Sequence, residues 1–162
     1  MAGPGITEFK KLTLETLQVG DEFVSDDHLV IPEDIEAHGF AVEDDHPWLA
    51  EGVAPPTLMA NQALHLRHSK YLVHAGLHAR MEFNFVEPIK LGMRVRTRGR
   101  VIDKYERRGK PYMVTEYVTE DDAGRVLVRG QFTQMIIPEP EARPWPRALR
   151  PGSRSGRLFH RS

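Results

Sequence analysis

The residues best suited to proton transfer lie together in one short stretch of the chain. Asp44, Asp45 and His46 place two carboxylates beside an imidazole, and these side chains commonly act as general acids and bases. The spacing leaves two interpretations open. One is a catalytic group in which an aspartate orients His46, and the other is a polar loop whose side chains cap backbone N–H groups.

Four histidines form a second group of candidates, at His65, His68, His74 and His78. Metal ligation would require companion ligands, but no carboxylate stands at helical spacing and the pattern matches no zinc signature. We therefore expect solvated histidines, or histidines that favour the C-terminal end of a helix. The sequence predicts no metal site and no redox cofactor.

A row of arginines gives the third candidate. Arg94, Arg96, Arg98 and Arg100 alternate with small or apolar residues along one predicted strand. This face either is solvated and paired with acids such as Glu116 and Glu120, or meets phosphate, which suits the guanidinium fork. Residues 107–110 form a smaller basic patch at a predicted hairpin tip.

Composition limits the class of protein. The 162 residues fit one domain, the net charge of −1 gives no sign of a nucleic-acid partner, and cysteine is absent. No apolar run approaches the length of a membrane span, and the first residues lack the apolar stretch of a signal peptide. We expect a cytoplasmic protein without disulfides and without a nucleic-acid or membrane partner.

Two helices are predicted in the first half of the chain. Pro32 begins the first, which should end near Val42, and 43–52 is an acidic loop broken by Pro47. The second should begin at 55–57 and continue to Tyr71. Its apolar surface is broad enough for a buried central helix, being formed by Leu58, Met59, Ala60, Ala63 and Leu66.

The second half of the chain predicts consecutive antiparallel strands. They are expected at 81–86, 94–105, 111–119 and 125–137, after an interrupted strand at 22–31, with a hairpin signal at 121–124. Such a sheet can curl around the helix, which predicts an α+β domain at 17–137 with a curved antiparallel sheet wrapped around one long central helix. Residues 1–16 are expected to be a flexible N-terminal segment. The Pro/Arg-rich tail 138–162 is expected to be disordered or docked on a partner.

Three segments resemble the MaoC-like dehydratase family. They are 40–48 (FAVEDDHPW) with 52–58 (GVAPPTL), 77–92 (LHARMEFNFVEPIKLG) and 100–109 (RVIDKYERRG). The resemblance runs from about residue 17 to 137 and extends to the non-catalytic subunit of heterodimeric mycobacterial hydroxyacyl-carrier-protein dehydratases. It implies the hot-dog fold and a dimer.

Family members that are active carry the pattern Asp-x-Asn-Pro-x-His. When the two sequences are matched through Pro47, Asp44 takes the catalytic Asp position and His46 takes the Asn position. Leu49 falls where the catalytic His belongs, and a leucine cannot transfer a proton. The resemblance therefore leaves three possibilities: a rearranged site that uses His46, an inactive half of a heterodimer, or a polar capping loop.

The second departure concerns the oxyanion donor, a glycine N–H at the start of the central helix in the family. Pro56 falls on that position and has no N–H, so Thr57 is the replacement candidate. His78 and Arg80, where related domains carry a Leu-His pair, are candidate substrate contacts, together with Pro56 and Trp48 in the first matched segment.

The resemblance implies an acyl-thioester hydratase/dehydratase, or a subunit of one. The substrate would be a 2-enoyl or 3-hydroxyacyl chain on coenzyme A or an acyl-carrier protein, whose phosphopantetheine belongs to the substrate. The partner would be an identical chain or a related hot-dog subunit. A non-catalytic thioester-binding or scaffold protein is the alternative. A hot-dog thioesterase fits less well, because the central helix offers Asn61 and Gln62 where it would need a carboxylate.

Overall fold

A large antiparallel sheet dominates the computed structural model, which describes residues 9–139. The strand order is β2-β6-β7-β8-β5, and β3 also pairs with β6. The elements, in chain order, are β1 (Lys10–Lys11), β2 (Glu22–Val24), β3 (His28–Leu29), α1 (Pro32–Val42), α2 (Pro47–Ala50), α3 (Ala60–His65), a 3₁₀ helix (Leu66–Ser69), β4 (Tyr71–Leu72), β5 (Ala75–Phe85), β6 (Arg94–Arg107), β7 (Lys110–Asp121) and β8 (Val126–Ile137).

Two tight hairpins join the last three strands. Arg107 pairs with Lys110 across a loop of Arg108 and Gly109, whose φ angles of 54° and 70° are both left-handed, as two-residue hairpins that match strand twist require. At the next turn the Asp121 carboxylate accepts hydrogen bonds from the backbone N–H groups of Ala123 and Arg125, at 3.0 and 2.8 Å. The predicted meander is confirmed: β6 ends two residues later than expected, β7 extends the predicted strand at both ends, and β8 begins one residue later.

The inner face of the sheet holds the core, and strand β6 shows how the sequence selects that face. Its residues alternate between buried and exposed, with Val95, Thr97, Gly99 and Val101 inward as predicted. A Cβ on Gly99 would lie 2.8 Å from Cδ1 of Leu66. The missing side chain therefore allows the helical segment to approach the sheet closely.

The central helix is shorter than predicted. Residues 56–59 form turns, in which the N–H of Leu58 donates to Pro55 O and that of Ala60 to Thr57 O, both at 2.9 Å. The α-helix proper is Ala60–His65, and the 3₁₀ helix completes the segment. The cause is the Pro55-Pro56 pair, since the second proline disfavours the helical conformation at the first and offers no N–H.

The packing of this segment is nevertheless as expected. Met59, Ala63 and Leu66 are buried against the sheet, while Leu58 and Ala60 are half-buried. The predicted hot-dog architecture, a curved antiparallel sheet around a central helical segment, is therefore confirmed. Helix α1 matches its predicted bounds, and β5 begins six residues before the predicted 81–86.

The chain before α1 contacts strand β4, which follows the 3₁₀ helix. Strand β1 pairs with β4 in parallel, and Leu12 and Leu17 are buried. The hydroxyl of Tyr71 donates to the Asp21 carboxylate. Residues 1–8 and nearly all of the predicted tail 138–162 lie outside the described residues. Within 9–139 no helix has the length and apolarity to cross a membrane.

Candidate active site

The loop between α1 and α3 builds the candidate site, and the end of α1 sets its direction. Glu43 takes a left-handed conformation, with φ 54°, and caps the helix through its N–H. The N–H of Asp44 then donates to Gly39 O at 2.8 Å. These bonds turn the chain back, so that Asp44 is half-buried while Asp45, His46 and Trp48 are exposed.

Asp44 and His46 are both engaged with the backbone of their own loop. The Asp44 carboxylate accepts the N–H of His46 at 3.0 Å, and Nδ1 of His46 accepts the N–H of Trp48 at 3.3 Å. The capping that the sequence left open is therefore present. Because Nδ1 accepts, the neutral ring carries its proton on Nε2 and presents a donor to solvent.

Leu49 occupies an apolar position in the same loop. A Cβ on Gly39 would lie 3.2 Å from Cδ1 of Leu49 and 3.1 Å from Asp44 O, so α1 and the loop are in close contact here. Leu49 is half-buried against the core. Its side chain packs the loop onto α1, and the proton-transfer role of the family histidine is absent at this position.

Thr57 has a neighbour that sequence reasoning missed. Its Oγ1 lies 3.2 Å from Nε2 of His38, a residue of α1. The backbone N–H of Thr57 donates to no backbone oxygen of residues 9–139. Helical spacing offered a signal for His38, because Ile35 and Gly39 of α1 are buried and a residue three after Ile35 lies on the neighbouring face.

Of the remaining predicted substrate contacts, Pro56 adjoins Thr57, whereas His78 and Arg80 belong to a different element. Pro56 is exposed beside Thr57. His78 and Arg80 belong to β5, where a bulge separates them, and Arg80 makes an exposed ion pair with Glu82 at 2.8 Å. Within the described chain neither contacts the 44–57 loop, and His78 instead neighbours His65 and Arg67.

The arginine row forms the outer face of β6. Arg96 Nε lies 2.6 Å from the Asp27 carboxylate, and Arg98 pairs with Glu120. Arg100 stands opposite Glu116 in the register with β7. The hydrogen bond from Arg96 is the main cause that lowers the pKa of Asp27. The solvated, acid-paired interpretation of this row is confirmed for Arg98 and Glu120.

One groove, which contains two of the candidate histidines, lies apart from the candidate loop. It has a volume of about 840 Å³, is bordered by residues 9–13, the 3₁₀ helix and residues 71–74, and includes His68 and His74. In the part of the chain that the structure describes, no three His, Asp or Glu side chains are placed to hold a metal ion.

No family model matches the sequence, and no curated protein does. Solved structures, however, share the fold. The unliganded R-hydratase PhaJ1 from Pseudomonas aeruginosa has a TM-score of 0.67 and 15% identity, over 85% of this chain and 97% of its own. The 3R-hydroxyacyl-ACP dehydratase complex HadBC from Mycobacterium tuberculosis has a TM-score of 0.64 and 22% identity. The match covers 72% of this chain and 96% of the HadBC chain.

A MaoC-like dehydratase from Rhodospirillum rubrum gives a TM-score of 0.63 and 22% identity, over 80% of this chain and 99% of its own. One of these structures is a MaoC-like dehydratase, the family that the three sequence segments resemble. Nearly the whole length of each structure matches this chain. The protein has the hot-dog fold of the MaoC-like dehydratases and hydratases.

Proposed function

We propose that this chain is an acyl-thioester hydratase/dehydratase, or a subunit of one, acting on a 2-enoyl or 3-hydroxyacyl thioester. The observation that carries the proposal is that the loop holding Asp44 and His46 leads from α1 to Thr57, while His38 of α1 lies 3.2 Å from the Thr57 hydroxyl. The Asp44 carboxylate is half-buried and the His46 ring is exposed.

The reaction needs a base, an acid and an oxyanion donor. Asp44 would take the proton from the water that attacks C3, since a carboxylate is the conjugate base available in the loop. Asp44, protonated in that step, would deliver the proton to C2, while the Nε2–H of the neutral His46 donates a hydrogen bond to the attacking water, so that both groups end in their starting protonation states. The N–H and hydroxyl of Thr57 would bind the thioester oxygen as it gains negative charge, a role that fixed donors perform well.

His38 would be a positioning residue in this arrangement. Its ring lies against the Thr57 hydroxyl, and it can hold that group in one rotamer by accepting or donating a hydrogen bond. Removing the ring would free the hydroxyl, so we expect kcat to fall while the KM for the thioester changes little.

A subunit role is the second candidate, and specific residues favour it. Leu49 and Pro56 replace the family's histidine and glycine, and the backbone bonds of Asp44 and His46 fit a structural loop. Edge strand β5 pairs with β8 alone and exposes Leu77 and Phe85. An open edge with apolar side chains is suited to a second hot-dog unit, identical or related.

The test is hydration of crotonyl-coenzyme A and longer enoyl thioesters by the purified chain. We expect turnover to fall at least about 100-fold in Asp44→Asn and His46→Ala. Glu36→Gln, on the exposed side of α1, is the matched control and should keep full activity.

Inactivity of the chain alone followed by turnover with a second MaoC-like protein would assign the subunit role. Thioester binding without turnover in either mixture would contradict a hydratase and support the scaffold alternative. Sedimentation measures the expected dimer directly. Release of free coenzyme A without hydration would identify a thioesterase, which the central segment, with no acid from Ala60 to Ser69, does not favour.

A further inference from the structure

Arg67 is a partly buried cation with no anionic partner in the described chain. It lies in the 3₁₀ helix, and no carboxylate of residues 9–139 comes within ion-pairing distance of it. Burial is the cause that lowers its pKa. Because guanidinium stays charged in proteins, this desolvated charge is unbalanced.

The hydrogen bonds of Arg67 leave one edge of the guanidinium open. Nη1 donates to Oε1 of Gln134 on β8, while Nε is buried without a partner. Nε and Nη2 together form the side of the fork that accepts two oxygens of one planar anion. The free pair of donors matches a bidentate acceptor.

Gln134 adds a further unused donor at the same place. The residue is 1% exposed on the inner face of the sheet, and its Nε2 has no partner. Buried amide N–H groups are nearly always paired. Two neighbouring side chains therefore present donors to a missing acceptor.

Gly76 on β5 makes room for the cation. A Cβ there would lie 3.1 Å from Nη2 of Arg67, so any larger residue would crowd the guanidinium. The bulge of β5 follows at once, after His78. Gly76 itself stays paired with Ile136 of β8, so the space beside the cation comes from the absent side chain.

The protonation state of the histidines near Arg67 indicates which charge a ligand should carry. His65, His68 and His78 are exposed, the charge of Arg67 acts on His68 and His78, and the rings of His65 and His68 lie 5.3 Å apart. Burial and then Arg67 lower the pKa of His68 and His78, so these two rings are neutral near pH 7. One fixed positive charge matches a monoanion better than a phosphate dianion.

From this geometry we infer that Arg67, Gln134 and the flanking histidines form a carboxylate-binding site on the inner side of β5 and β8. The inference is independent of the proposed reaction. The carboxylate is that of a small ligand or of an Asp or Glu from a second copy of this chain, and the two sources share the same chemistry.

The test uses acetate as the probe and the ring signals of the histidines as the readout. The full chain carries ¹³C-labelled histidine, and acetate is titrated against chloride at constant ionic strength. We expect saturable shifts of the His68 and His78 signals, and a rise in their pKa as acetate binds, because a nearby anion favours the protonated ring.

Arg67→Gln should weaken acetate binding about tenfold or more, the loss of one charge-assisted hydrogen-bonded pair. Arg94→Gln, on the outer face of β6, is the control and should bind acetate normally. If Arg67→Gln folds poorly, Gln134→Glu replaces it: this near-isosteric change gives Arg67 an internal carboxylate and should both abolish acetate binding and raise Tm.

The inference is overturned by shifts that do not saturate, by shifts that persist in Arg67→Gln, or by tighter binding of inorganic phosphate than of acetate. An unchanged acetate response with a lowered Tm in Gln134→Glu would also overturn it. Sedimentation separates the two sources: acetate and Arg67→Gln both weaken self-association if a second copy supplies the carboxylate, and neither does if the ligand is free.

Discussion

Arginines on the two sides of the sheet differ in their exposure to solvent and in their partners. On the outer face, Arg96 and Arg98 stand in solvent with carboxylates beside them. On the inner side, Arg67 is partly buried and has an amide oxygen in place of a carboxylate. Ion pairs among hydrated groups form at little cost and stabilise little, whereas an interior cation without a counter-ion costs stability. The contrast shows that Arg67, which is partly withdrawn from water, has no counter-ion within the described chain.

Phe132→Ala should give the largest effect and tests which face is the core. Phe132 is 3% exposed and its ring lies 5.4 Å from that of Tyr117. Its loss leaves a cavity and should lower the free energy of unfolding by about 3–5 kcal/mol. Urea denaturation measures it, with Phe40→Ala, whose side chain near the end of α1 is 90% exposed, as control at less than about 1 kcal/mol. Equal effects would contradict the assignment of the inner face.

Replacing the inner polar pair should stabilise the protein. Arg67→Met with Gln134→Leu removes the unbalanced charge and both unpartnered buried donors together, so no group is left without a partner. The free energy of unfolding should rise by about 1–2 kcal/mol in carboxylate-free buffer. A decrease of similar size would mean that Arg67 is already well satisfied, which would remove the basis of the contrast.

The outer pair should couple weakly. A double-mutant cycle of Arg98→Gln and Glu120→Gln should give less than about 1 kcal/mol, and the coupling should shrink as salt is added because both groups are hydrated. Denaturation of the four proteins at low and high salt measures it. Strong coupling that ignores salt would place this pair in an environment like that of the interior.

The smallest effect concerns pH. The lowered pKa of His68 and His78 means that the unfolded chain binds protons more readily than the folded one. Their contribution to stability is therefore complete above the ordinary value of 6.5 and is lost as pH falls below it. In Arg67→Met both pKa values should rise, as NMR titration of the rings would show. Unchanged values would exclude Arg67 as a cause.

Local patterns predicted the sheet well. The alternation along β6 and the Asp-Asp-Ala-Gly turn at 121–124 are properties of neighbouring residues, and they fix which face is buried and where the chain reverses. The length of the central helix was less well predicted, because the apolar surface of residues 58–66 does not reveal how far a Pro-Pro pair delays helical hydrogen bonding.

The sites could be predicted only in part. Asp44 and His46 could be proposed as site residues because they share a segment, although their bonds to the backbone depend on the left-handed turn at Glu43. His38 and Arg67 were missed, since their partners Thr57 and Gln134 are 19 and 67 residues away. Contacts across such separations depend on packing of whole elements, which one sequence does not display.

The pairing of β5 sets an order of events during synthesis. Its only partner among the strands of residues 9–139, β8, ends at Ile137, more than fifty residues after β5 is complete at Phe85. Until β8 leaves the ribosome, both edges of β5 are open, and the apolar side chains of Leu77 and Phe85 are exposed. A nascent chain is then most prone to pair with the wrong neighbour. Rapid closure of the two short hairpins that carry β8 back to β5 limits that interval.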